Sequence, residues 1–527
     1  MKIALAQLNY TIGDIDGNCA RIIEAVRRAE KAGADLVLFA EYALSGTPAY
    51  DLLRKTTFLT LCEEALEQIA QHCRRVTAIV GSPYLTDRGA VSAAVVLRNG
   101  RIDTIIEKQY LKARRDMGYI VAGTGCQVVE VADCKFAIMV GDDLSSLNEL
   151  DAEADFVVSV NSRRYGKGRL SRRLETMRRR TFTEGRNLIL INQVGGSGDL
   201  VYDGTSGVMN KMGQIELLMK SFEEDFQIYD TLVEHEAFEV PYTTYNDRTR
   251  MVYGAACLGL RDYFHKSGYK RACVGLSGGI DSSVVACLAV GALGRENVKG
   301  LMLPSQFSSD ESVEDAKQLA ENLGIEYSVL PINEAYTAIM DTLKPVTGGT
   351  NFDATEENIQ SRIRTVLLMA LQNKEDYVLL NSSNKSENAL GWCTLYGDTA
   401  GAFSVTGDLY KSEIYDLARY INSRFDDVIP ENILKKEPQS ELRPDQKDSD
   451  FLPPYEVVDA ILYRMIEEGQ HREEIINAGF DSQVVEKIHS MVMQNVKKRY
   501  QYPPVLRLSP KSFRHECIFP LVNKYGY

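Results

Sequence analysis

"ACVGLSGGIDSSVVACLAV", Ala272–Val290, begins with an apolar run, breaks at Ser277-Gly278-Gly279 and resumes as a second apolar run. This order predicts a strand ending at Leu276, a glycine-rich turn, and a helix starting near Ser282. In that geometry backbone N–H groups and a helix N-terminus face a phosphate. Ser277, Gly278 and Gly279 let the main chain approach closely, and Ser282 and Ser283 add hydroxyl donors. No Lys follows the glycines, so this is not the loop that holds a γ-phosphate in Walker A proteins.

The rest of the chain is too long to belong to that domain alone. At 527 residues, with 44% hydrophobic and 25% charged, a globular protein of two domains is expected. Sixty Lys and Arg against 73 Asp and Glu leave a net charge of −13, which disfavours nonspecific nucleic-acid binding. The opening residues are too polar for a signal peptide, and no apolar run approaches the ~18 residues of a membrane span. Ten cysteines without a Cys-x-x-Cys pair and only six histidines argue against a zinc site or a disulfide framework. A reducing cytoplasmic location fits that usage.

Upstream of the phosphate loop, "KIALAQL" (Lys2–Leu8) and "DLVLFA" (Asp35–Ala40) are expected strands flanking a helix over Asn18–Lys31. Asn99-Gly100 between "SAAVVLR" and "RIDTIIEK" is a hairpin signal. Further strands are expected at Phe156–Val160 and Leu188–Asn192. Hairpins mixed with helices predict an α/β sandwich here. The basic run "RRLETMRRRTFTEGR" reads as a solvated helix face or an intersubunit surface. Residues 1–236 form the expected first domain, 237–250 a linker and 251–527 the second, which opens with a helix at Met251–His265.

Ser-Gly-Gly-x-Asp-Ser after a strand resembles the loop of the ATP pyrophosphatases, which split ATP between its α and β phosphates and transfer AMP to an oxygen. "EENIQSRIR" (Glu356–Arg364), "NSSNKSENALGWCTLYGD" (Asn381–Asp398), "DLYKSEIYDLARY" (Asp408–Tyr420), "EPQSELRPDQKDSDFLPPY" (Glu437–Tyr455) and "KKRYQYPP" (Lys497–Pro504) together are similar to the NAD synthetase family. The resemblance implies an α/β second domain with a Rossmann-like parallel sheet, ATP and deamido-NAD as substrates and Mg²⁺ as metal. Charge and hydropathy lead us to expect no nucleic-acid or membrane partner. Deamido-NAD carries a carboxylate, whose leaving group would be oxide. Adenylation makes a mixed anhydride that ammonia can attack, and cations must offset the phosphate charge. By resemblance Asp281 and Glu387 hold Mg²⁺. Gly275, Ser277, Gly278, Gly279, Ser282, Ser283, Ser382 and Lys411 bind ATP, with Ser382 standing where the family usually has Thr. Asn358, Arg364, Glu387, Asp398 and Lys498 position deamido-NAD. Lys497 stands where related sequences often have an aromatic residue or His.

Residues 1–230 resemble the nitrilase-like amidase domain that feeds ammonia to glutamine-dependent NAD synthetases. "LVLFAEYALSGTPAYDLL" places Glu41 as the family's general base, and "IIEKQYL" places Lys108 as its intermediate-stabilising lysine. "VGGSGDLVYDGTSGVM" (Val194–Met209) is similar to the family's Val-Gly-Gly…Asp-Gly-x-Ser stretch. The family nucleophile is a Cys at a strand end, in an apolar-Cys-Glu-Asp pattern. Here "FAIMVGDD" puts Gly141 in that place, and glycine cannot form a thioester. Asp142-Asp143 as a metal pair is disfavoured, since two adjacent carboxylates without further ligands make a poor site. "LKARRDMG" after Lys108 and "NSRRYG" also depart from the family pattern. The expectation is therefore a homo-oligomeric synthetase using free ammonia, with a vestigial amidase domain. The alternatives are glutamine dependence through another nucleophile or a separate glutaminase, and an N-terminal domain kept as a structural or partner-binding module.

Overall fold

The computed structural model describes all residues except 113–115, 147–152, 239–244, 349–351, 445 and 525–527. It divides into two units, Met1–Thr244 and Tyr245–Tyr527. Of the expected linker, residues 239–244 lie outside the described residues, and 245–250 already belong to the helix Tyr245–Ser267 that opens the second unit.

The first unit follows from strand periodicity. Along Lys2–Gln7, Ile3 and Leu5 point to one side and Ala4 and Ala6 to the other. Ile3, Leu5, Leu36 and Leu38 meet Phe136, Ile138, Val158 and Ile189 in a buried layer between two six-stranded sheets. The opposite face of the first sheet packs on helices Ile15–Lys31 and Thr56–Ala70 through Ile22, Val26, Leu66 and Ile69. Met139, Val157 and Leu190 carry the second sheet onto the helix Arg169–Glu184 at Met177. The result is a helix–sheet–sheet–helix sandwich with mixed sheets. Lys2–Gln7, Leu36–Leu38 and Thr77–Thr86 run parallel, while Thr77–Thr86, Gly89–Arg98 and Arg101–Glu107 form antiparallel hairpins. At the expected hairpin Asn99 and Gly100 have φ of 55° and 77°, the pair of positive values that a type I′ turn needs.

The basic helix is not a uniformly solvated face. Arg173 is buried, and its guanidinium makes two bonds to Asp203, at 3.0 and 2.8 Å. A planar fork matched to a carboxylate makes Arg tolerable in that interior.

In the second unit five parallel strands lie in the order Glu326–Val329, Val298–Met302, Arg271–Gly275, Tyr377–Asn381, Phe403–Ser404. The chain starts in the middle, builds one side, then returns to build the other. The crevice between Arg271–Gly275 and Tyr377–Asn381 is thus a topological switch point, where loops leaving adjacent strand ends part and leave room for a ligand. Helix Ile280–Leu293 begins two residues before the expected Ser282, because Gly279 is already extended and caps it. Its apolar residues run all round, since it is buried beneath helices Tyr245–Ser267 and Lys411–Arg424 as well as against the sheet.

Candidate functional site

The phosphate loop is held in shape by its own hydroxyls. Ser277 Oγ accepts the Gly279 N–H at 3.2 Å, and Ser282 Oγ donates to the Gly279 carbonyl at 3.1 Å. Gly278 has φ +74°, and a Cβ there would lie 2.2 Å from the Ser312 carbonyl oxygen. Only glycine fits that approach. Ser283 turns away: it is buried, and its hydroxyl donates back to the Gly279 carbonyl at 2.7 Å.

Beside the loop lies a cleft of about 580 Å³. Asp281 enters it from the first helical turn after the loop. Glu387 enters from helix Lys385–Leu390, and Lys411 from the start of helix Lys411–Arg424. Lys411 Nζ donates to Asp281 Oδ2 and lies 3.7 Å from Glu387 Oε1. Two carboxylates thus share one ammonium. Burial, followed by the charge of Asp281, pushes the Glu387 carboxyl up to about 8, with Lys411 opposing. The two carboxylates hold the Lys411 ammonium well above its ordinary range, against the effect of burial. Hard oxygen donors in this number fit Mg²⁺, which is ordinarily held by one or two carboxylates together with substrate phosphates and water.

On the far side Arg364 donates from Nε to the Leu303 carbonyl at 2.9 Å, and burial lowers its guanidinium to about 10. Asn358 Oδ1 accepts the Thr394 hydroxyl at 2.6 Å. Asp398 accepts the Thr394 N–H at 2.6 Å, and burial raises it to about 6. Lys498 Nζ is anchored on the Gly391 and Cys393 carbonyls at 2.7 and 2.8 Å.

A second constellation lies in the first unit, at strand ends. Glu41 lies past Leu36–Leu38, Lys108 follows Arg101–Glu107, and Gly141 follows Cys134–Val140. All three are buried, and Lys108 Nζ is 3.1 Å from Glu41 Oε1. A Cβ on Gly141 would lie 2.9 Å from both Glu41 oxygens and from Lys108 Nζ. Lys108 also meets Asp116 at 2.9 Å and Asp142 at 3.7 Å, while Lys112 reaches Asp142 at 2.6 Å. Asp143 accepts the N–H groups of Gln109 and Tyr110, and burial raises it to about 6. The two aspartates are thereby tied into ion pairs and backbone bonds. Among the described residues no group of three or more His, Cys, Asp or Glu is arranged to hold a metal.

The carbon-nitrogen hydrolase family profile matches residues 2–232, and the NAD synthase profile residues 217–502. A glutamine-dependent NAD(+) synthetase of Aquifex aeolicus is 38% identical over 568 residues, covering 100% of each chain. Its counterpart from Thermotoga maritima is 36% identical over 569 residues, covering 100% of this chain and 99% of the relative. This chain belongs to the two-domain NAD synthetase family. The structure of a glutamine-dependent NAD+ synthetase from Acinetobacter baumannii in complex with ADP matches it with a TM-score of 0.77 at 34% identity. That match covers 99% of this chain and 98% of the other. No described helix is long and apolar enough to cross a membrane.

In this NAD synthetase one cleft gathers the expected Gly275, Ser277, Gly278, Gly279, Asp281, Ser282, Asn358, Arg364, Ser382, Glu387, Asp398, Lys411 and Lys498. Ser283 is not among its lining residues. The cleft adds residues that sequence reasoning left unassigned. Glu441 and Asp448 lie in Glu437–Tyr455, a stretch whose family resemblance was visible but whose separate side chains carried no pattern, and Lys436 directly precedes it. Glu441 has φ +49° and accepts the Ser309 and Ser312 hydroxyls at 2.8 and 2.7 Å, while Lys436 donates to Ser312. Asn384 was likewise missed, since it acts on Asp281, 103 residues away, and Asp116 was missed although its partner Lys108 is only eight residues before it.

Proposed function

We propose that this NAD synthetase, an ATP-dependent amidating ligase, converts deamido-NAD to NAD with free ammonia as its nitrogen source. A nicotinate carboxylate oxygen attacks the α-phosphorus of ATP, and the bond to the α–β bridging oxygen breaks to release pyrophosphate. Ammonia then attacks the acyl carbon of the adenylate and loses a proton. AMP departs with the oxygen that came from the carboxylate.

The N–H groups of Ser277 and Gly279 and the Ser282 hydroxyl bond within the loop, and would exchange those bonds for phosphate oxygens beside the Gly278 N–H at the helix N-terminus. Gly275 and Ser382 border the nucleotide, and Lys411 offsets phosphate charge. Asn358, Arg364, Asp398 and Lys498 orient deamido-NAD against the α-phosphate, with Glu387 at the same junction. Mg²⁺, held by Asp281 and Glu387, would supply charge stabilisation as pyrophosphate leaves.

The observation that carries the ammonia reading is Gly141. Base and ammonium converge on a backbone position that has no side chain. Glu41 Oε2 is buried there without a hydrogen-bond partner among the described residues, as befits a base whose thiol is gone. The environment of the cysteines of this unit disfavours them as replacements. Burial pushes the Cys62 and Cys73 thiols up to about 12 and Cys126 to about 11, and it also raises Cys19 and Cys134. Such thiols are poor nucleophiles. The glutamine-dependent relatives favour a second reading, in which glutamine serves through another nucleophile of this chain or through ammonia made by a separate glutaminase.

Purified protein with ATP, Mg²⁺ and deamido-NAD tests whether this chain draws its nitrogen from ammonia or hydrolyses glutamine itself. Ammonium should yield NAD with equal amounts of AMP and pyrophosphate, and glutamine in ammonia-free buffer no more than a trace. Robust turnover of the pure protein on glutamine would overturn the ammonia reading, and release of ADP with orthophosphate the adenylate.

A further inference from the structure

Asn384 stands between the strand Tyr377–Asn381 and the helix Lys385–Leu390, and it is fully buried. Its side chain touches both carboxylate-bearing elements of the cleft. Nδ2 donates to Asp281 Oδ1 at 2.8 Å, and Oδ1 accepts the Glu387 N–H at 3.0 Å. Its backbone N–H donates to Glu387 Oε2 at 3.3 Å. The remaining oxygens, Asp281 Oδ2 and Glu387 Oε1, both face Lys411 Nζ. One residue therefore holds the outer oxygen of each carboxylate and leaves the inner pair turned toward a cation.

We propose that Asn384 is a positioning residue that sets the spacing and orientation of Asp281 and Glu387 for a divalent cation shared with the nucleotide phosphates. Helix capping alone does not call for asparagine here. Ser, Thr and Asp accept a helix N–H about as well. Of these capping side chains only Asn carries an amide N–H₂ that can donate while its oxygen caps. That donor goes to Asp281, 103 residues away in the chain. Two carboxylates left to themselves repel. The neutral side-chain amide restrains the Asp281 carboxylate directly and Glu387 through its backbone N–H, while the Asn384 backbone N–H holds Glu387 Oε2. Partners behind a metal ligand commonly change metal affinity by about 10- to 100-fold.

The inference rests on the reading of Asp281 and Glu387 as metal ligands, and its test keeps the two apart. The full chain is saturated with the non-reacting analogue α,β-methylene-ATP, and Mn²⁺ binding is followed by the resonance signal of free Mn²⁺. Asn384→Ser keeps a capping oxygen and removes the donor to Asp281, whereas Asn384→Ala removes both. Mn²⁺ affinity should fall about tenfold in both variants. The thermal midpoint should fall only in the Ala variant, and analogue binding in EDTA should stay within about twofold of wild type in the Ser variant. Asn384→Thr takes the place of Ser if that variant does not fold.

Wild-type Mn²⁺ affinity in the Ser variant, alongside weakened binding in Asp281→Asn, overturns the positioning role and leaves the ligand assignment standing. Unchanged Mn²⁺ binding in both Asp281→Asn and Glu387→Gln overturns the ligand assignment, and the inference with it.

Discussion

At Gly141 the backbone has φ +59°, and the first atom of any side chain would sit 2.9 Å from Glu41 and Lys108. A thiol there must push those groups apart and adopt a conformation that L-residues rarely occupy. Lys108 is meanwhile committed to Asp116 at 2.9 Å as well as to Glu41. We expect Gly141→Cys alone to leave glutamate release from glutamine near background. A nucleophile works only in register with its base and its pocket, and a misplacement of about 1 Å can cost on the order of 10²-fold. Glutaminase activity rising to the level of ammonium-driven synthesis would show that only the thiol was missing.

Asp143 gives a pH signature at the same strand end. Its folded value of about 6 lies above its ordinary 3.8 because burial outweighs the Gln109 and Tyr110 N–H bonds and Lys108, while Glu41 adds repulsion. The folded state therefore binds the extra proton. This stabilisation is fully present below the unfolded value and is lost as pH rises through about 6, with an upper bound of about 3 kcal/mol. Asp143→Asn should remove that dependence. Thermal midpoints of wild type and variant, compared from pH 4 to 7, should move in the variant's favour as pH rises. Parallel curves would contradict the assignment.

Among the elements, the phosphate loop depends on the helix Asp310–Leu323 as much as on its own sequence. The Ser312 carbonyl oxygen occupies the space a Cβ on Gly278 would need, 2.2 Å away, and the obstacle is backbone. Gly278→Ala must therefore displace either the loop or the start of that helix. Strain from the positive φ alone costs on the order of 1–3 kcal/mol. We expect lost ATP affinity and at least a 10²-fold fall in NAD formation, because the loop N–H groups no longer converge. Calorimetric ATP binding at wild-type strength would refute this. Loop and helix start were each legible in the pattern Leu276–Ser283, but the need for glycine at 278 in particular was not. Its cause lies 34 positions along the chain and meets the loop only after the parallel sheet forms.

For the whole molecule, every described residue lining the cleft beside the glycine-rich loop falls within 275–498, and the second unit has cores of its own around Val458, Ile488, Cys273 and Leu379. Residues 245–527 expressed alone should fold cooperatively and make NAD from ammonium with kcat within about tenfold of the full chain, since the groups that position the reactants remain. Loss of ammonium-driven synthesis in a folded fragment would show that the first unit completes the site.

The sequence by itself determined what is local. Strand and helix periods set the first α/β architecture, Asn99-Gly100 set a turn, and Leu276–Ser282 set a strand, a glycine-rich turn and a helix, because each follows from residues within one or two turns or strands. It also marked Glu41, Lys108 and Gly141 as members of one amidase pattern. Tertiary structure decided which side chains meet across the chain: Asn384 with Asp281, and Arg173 with Asp203. Such partners leave no period or spacing behind. Each contact joins elements brought together only by sheet order and burial, where an unpaired polar group is costly enough to select its partner.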